Sequence, residues 1–88
     1  MPIRTETFRR ESANGLDTII VMASIDDIGD DVGAEIRVIH ERDGKVVTDT
    51  IPHWGDDPAA GHRWVEQHRD SCISQGYRVV DECDEPEN

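Results

Sequence analysis

The amino-acid sequence predicts an α+β domain: a small antiparallel sheet of four to five strands with one helix packed on one face. Three observations carry this reading. Residues 16–25, LDTIIVMASI, form a β-branched run that is apolar at both alternating sets of positions. Residues 34–51, AEIRVIHERDGKVVTDTI, set Asp43-Gly44 between two alternating segments, the pattern of a hairpin whose two-residue turn matches strand twist. Residues 58–75 carry a helical period, opened by Asp57 and Pro58 and closed by Gly76. The order along the chain is β-β-β-β-α-β. Eighty-eight residues leave room for a single domain, 1–88, with residues 1–2 and 84–88 expected to fray.

Each element has its own signature. The first strand, Ile3 to Glu11, alternates poorly, and the SANG turn after it contains Asn14 and Gly15, both tolerant of positive φ. In the second strand, Ile19, Val21, Ala23 and Ile25 line one face, and Leu16, Ile20 and Met22 line the other. A strand apolar on both faces needs cover on both. In the third and fourth strands, unbroken pairing across the Asp43-Gly44 turn puts Ile36, Val38, His40, Val47, Asp49 and Ile51 on one face, the expected core face. Glu35, Arg37, Ile39, Glu41, Val46, Thr48 and Thr50 fall on the other. The helix gathers Gly61, Trp64, Val65, His68 and Cys72 into one stripe, with Arg63, Glu66, Gln67 and Asp70 turned to water. Tyr77 to Glu82 make the last strand. The two cysteines, Cys72 and Cys83, lie too far apart along a helix and an antiparallel strand to pair, so both are expected to be free.

One helix covers one face of a sheet. Leu16, Ile20, Met22, Ile39 and Val46 then remain on the other, and an uncovered apolar face marks a partner surface. For a small domain the commonest partner is a second copy, so a sheet-mediated homodimer is expected.

Composition narrows the partners. The chain carries 20 acidic against 9 basic residues, a net charge of −11, with Lys45 as its lone lysine. Such a field repels phosphate, so direct nucleic-acid binding and adsorption to anionic lipid are not expected, whereas a basic protein partner is compatible with it. No apolar run is long enough to span a bilayer, and MPIRTETFRRES lacks a signal-peptide core, so no membrane association and a cytoplasmic location are expected.

The segment Thr50 to Cys72 concentrates three of the four histidines and both tryptophans. His68 and Cys72, four apart, project from one helical face, and His40 and Asp49 would join them if the helix packs on the hairpin's core face. Together the four make a chemically reasonable zinc set. His40, Asp49, Trp54 and His68 are the corresponding small-ligand candidates. The competing reading makes His68 a neutral core histidine and Cys72 a buried thiol. His40 and Asp49 could also act as a base and its orienting carboxylate, but Cys72 sits in the last helical turn, where the dipole opposes a thiolate. No nucleophile elbow, phosphate loop or dinucleotide fingerprint occurs, so no residue is assigned a catalytic role, no cofactor is expected, and the balance leans away from an enzyme. DDIGDDVGAE, residues 26–35, doubles an Asp-Asp-apolar-Gly unit. It departs from the EF-hand order and reads as a solvated acidic loop. Trp54 is expected to cap the core as a staple; the alternative is an exposed partner anchor.

Three functions follow. The leading one is a small acidic non-enzymatic binding protein that dimerises through its sheet. The first alternative is an acidic nucleic-acid mimic of the phage or mobile-element kind, with carboxylates at 26–31, 56–57 and 81–87. The second is a metal protein or small enzyme using His40, Asp49, His68 and Cys72.

Overall fold

A computed structural model of the chain describes residues 3–28 and 31–85. The elements are β1 (Ile3–Ser12), β2 (Gly15–Ile28), β3 (Asp31–Arg42), β4 (Lys45–Gly55), α1 (Pro58–Ser74) and β5 (Arg78–Glu85). They build one five-stranded antiparallel sheet of order β4-β3-β2-β1-β5, with the helix on one face, an α+β architecture. The first four strands meander to one edge. The helix then carries the chain back across the sheet, so that β5 pairs with β1 at the opposite edge.

Local chemistry explains the joints. Asp43 and Gly44 both take positive φ, 53° and 83°, as a tight hairpin turn of matching twist requires. Asp57 caps the helix by accepting a 3.0 Å hydrogen bond from the Ala59 N–H, and Pro58 fills the first helical position. At the other end Gly76 turns left-handed at φ 93°. The Gly76 N–H bonds the Ile73 carbonyl and the Tyr77 N–H bonds the Cys72 carbonyl, the Schellman closure that feeds the chain into β5.

The core lies between helix and sheet. Phe8, Val21, Ala23, Ile25, Ala34 and Ile36 from the strands pack with Val65, Cys72 and Tyr77, and Ile19, Val38, Trp64 and Val79 close its rim. The expected helical stripe is therefore the buried one: Gly61, Val65 and Cys72 are buried, and Trp64 and His68 are half-buried. Gly61 is where the helix comes closest, because a Cβ there would run into the Cβ of Ala34.

Several expectations need correction. β1 is not among them: it forms where expected, as an internal strand with Phe8 fully buried, and its alternation looks poor because Glu6 occupies a core position, also fully buried. Residues 26–28 and 31–33, expected in a loop, continue β2 and β3, pairing Asp26 with Gly33, Asp27 with Val32 and Ile28 with Asp31. The side chains of residues 26–32, which include all four aspartates of that acidic segment, lie outside the described residues. β5 runs from Arg78 to Glu85, past the expected strand end at Glu82. Most consequential is β4, whose pairing with β3 shifts between His40 and Glu41 and again between Ile36 and Val38. Each shift inserts an extra residue and advances the side-chain alternation by one. His40 therefore faces Thr48 instead of Val47, Val38 faces Thr50 instead of Asp49, and Ile36 faces His53 instead of Ile51.

Candidate functional site

The sheet face turned away from the helix carries the strongest candidate. Directly opposed residues on neighbouring strands share a face, so the registers define its rows. Thr7, Ile20, Ile39 and Asp49 form one row; Thr5, Met22 and Arg37 form the next; Arg9, Thr18, Glu41 and Val46 lie on the other side. Leu16 stands beyond them at one end of β2, and Ser24, Glu35 and Trp54 close the opposite end. The helix of the described chain lies on the other side, and on this face neighbouring side chains leave Thr18 9 % exposed and Ile20 and Ile39 half-buried. Leu16 and Met22 are 37 % and 38 % exposed, Val46 60 %, and Trp54 79 %. The apolar side chains run down β2, the middle strand, with Ile39 beside them. To either side lie Arg9, Arg37, Glu41 and Asp49, with Val46 and Trp54 exposed on the edge strand β4.

Two features keep the β4 edge from pairing with another strand. Pro52 removes a backbone donor, and the two register shifts bend the ladder. On the face, Arg37 forks onto Asp49, with its Nε 2.8 Å from Oδ1. The pair holds the Asp49 carboxyl below its ordinary range through the Arg37 hydrogen bonds.

The sequence-derived metal and ligand set is dispersed. Asp49 lies on the open face, opposite Ile39, while His40 lies on the helix side. The shift that skips Val47 separates them, so they do not converge. His40 instead reaches Asp17, Nε2 to Oδ1 at 3.4 Å. His68 and Cys72 do meet, Nδ1 to Sγ at 3.6 Å. His68 stacks on Trp64 at 4.9 Å and meets Phe8 edge-on. Burial lowers the His68 pKa, and burial followed by the nearby Glu6 carboxylate raises that of Cys72, which is a free thiol. A protonated thiol beside a neutral imidazole is a packing pair and a poor nucleophile. Among the described residues no group of three or more His, Cys, Asp or Glu side chains is arranged to hold a metal ion. Trp54 does not cap the core; it stands exposed at the end of the open face.

Two buried carboxylates escaped the sequence reading. Asp17, 1 % exposed, gathers Arg42 Nε at 2.9 Å, Arg10 at 3.3 Å and His40. Arg10 also stacks over the Tyr77 ring and donates to the Gln75 carbonyl, tying the sheet to the end of the helix. Glu6 takes Arg4 Nε at 2.9 Å, with Arg69 Nε at 3.9 Å from its other oxygen. Position in the alternation could have found both, since Asp17 shares a face with Ile19 and Val21, and Glu6 with Phe8. Glu6, Asp17 and Asp49 are thus bound to arginines of the same chain and are not part of a free acidic surface. The side chains of the acidic clusters at 26–31 and 81–87 lie outside the described residues. No helix among the described residues is long and apolar enough to cross a membrane.

No protein-family model, curated protein or solved structure matches the chain.

Proposed function

We propose that this protein is a small non-enzymatic interaction module that works as a homodimer joined through its open sheet face. One observation carries the reading: the apolar column Leu16, Ile20 and Met22, with Ile39 beside it, stands on the middle of a sheet whose lone helix covers the other side. The size is suitable. Five strands at about 4.8 Å by eight residues at about 3.3 Å make a face of roughly 600–700 Å². A standard interface takes about 600–1,000 Å² from each partner. Carboxylates and arginines around the column supply the polar rim that such interfaces have.

Apolar burial is little affected by salt, whereas the mutual repulsion of two chains of net charge −11 is screened by it. The test is size-exclusion chromatography with light scattering at about 0.1 M and about 1 M salt. A mass of twice 9.9 kDa is expected in both, held as firmly or more firmly at the higher salt. A mass of one chain at every concentration and salt would refute the reading.

A further inference from the structure

We infer that the second copy seats on the open face about a two-fold axis running along β2, so that Arg9 of each chain meets the partner's Glu41. This deepens the dimer reading above and rests on it. Two sheets packed face to face are related by an axis lying between them, and two directions are natural, along the strands or across them.

The side-chain map separates the two. An axis along β2 places Leu16, Ile20 and Met22 each over its own counterpart, burying the whole apolar column at the centre. An axis across the strands at Ile20 opposes Leu16 to Ser24 and Met22 to Thr18, spending apolar surface on hydroxyls.

Charge points the same way. Arg9 on β1 and Glu41 on β3 flank Thr18 symmetrically, one strand to either side of β2. A rotation about β2 brings each over the other's position. Within the chain, Arg9 lies directly opposite Arg78 across the β1–β5 ladder, and both are exposed. Like charges so placed repel. Among the described residues neither has an ion-pair partner, and Glu41 has none either. The partner's Glu41 supplies the carboxylate that the Arg9–Arg78 pair lacks. The crosswise axis instead sets Arg9 against Thr5 and Glu41 against Arg37, an arginine already occupied by Asp49.

Charge reversal tests the register. Arg9→Glu alone puts two carboxylates together at each of two symmetric contacts, and Glu41→Arg alone puts two guanidiniums together. Each should weaken its own homodimer about tenfold or more. Mixing the two full-length variants should restore association near the wild-type strength, because the heterodimer has one native and one exchanged pair. Glu66→Arg, on the exposed outer surface of the helix, is the control for net charge and should not rescue Arg9→Glu. Sedimentation velocity reads the wild type, each variant and each mixture, and circular dichroism checks their folding. A wild-type dimer in which Glu41→Arg weakens association and Arg9→Glu does not would overturn this register and leave the dimer standing. Equal rescue by Glu66→Arg would also overturn it. A wild-type monomer would overturn both readings.

Discussion

Arg42 Nε donates to Asp17 Oδ1 at 2.9 Å, joining β3 to a carboxylate that is 1 % exposed on β2. The Arg42 hydrogen bond is the largest cause of the depressed Asp17 pKa, and Arg10 and His40 add to it. A carboxyl whose folded-state pKa lies below its ordinary 3.8 contributes stability that is present above 3.8 and lost as the pH falls through the lower folded value. Asp17→Asn should lower the unfolding midpoint at neutral pH and flatten the acid limb of the stability curve below about 4. Denaturant melts across pH 2.5–7 check it. An unchanged acid limb would show that Asp17 is not the carboxylate that titrates there.

His68 gives a second pH dependence at higher pH. Burial depresses its pKa below 6.5, so the unfolded chain takes up the proton first. Stability is whole above 6.5 and declines as the pH drops from 6.5 towards the folded-state value. His68→Leu keeps the contact with Phe8 and Trp64 apolar and should remove that decline. Thermal melts at pH 5, 6 and 7 distinguish the variant from wild type, and an identical slope in both would contradict this origin.

Gly61→Ala should destabilise the fold by about 1–2 kcal/mol, the scale of overpacking a tight contact. Helix propensity alone would favour alanine by about 1 kcal/mol. The sign therefore reports whether the added methyl meets Ala34, as the helix–sheet approach requires. Stabilisation in urea melts would mean that the helix rides further from the sheet.

The Cys72 thiol is buried and its pKa is raised, first by burial and then by the Glu6 carboxylate. In a Cys83→Ser variant it should react with an alkylating reagent orders of magnitude more slowly when folded than in denaturant. Rapid labelling of the native protein would place Cys72 outside the core.

The helix and the hairpin turn were legible because their signals are local. Asp57-Pro58 and Gly76 mark the helix ends, and Asp43-Gly44 suits two consecutive positive φ values. The face of β4 was not legible. Two inserted residues each advance the alternation by one, and nothing in KVVTDTIPHW except Pro52 marks a departure from regular pairing. That geometric fact moved Asp49 to the open face and out of the set proposed with His40, His68 and Cys72, whereas His40 keeps the helix-side face but turns to Asp17. Asp17 and Glu6 were passed over for another reason. A carboxylate at a core position looks like a break in the pattern until arginines from distant strands are seen to reach it. The uncovered apolar column was legible, since it follows from counting one helix against a strand apolar on both faces.

The most direct measurement is sedimentation velocity on wild type and Ile20→Glu over a common concentration series. Ile20 lies mid-column on the open face, opposite Ile39, where a lone chain can hydrate a carboxylate without disturbing the core. The wild type should sediment as two chains, and the variant as one with an unchanged far-ultraviolet spectrum. A variant as dimeric as the wild type, or a wild type that stays a single chain at the highest concentration reached, would contradict an interface on this face.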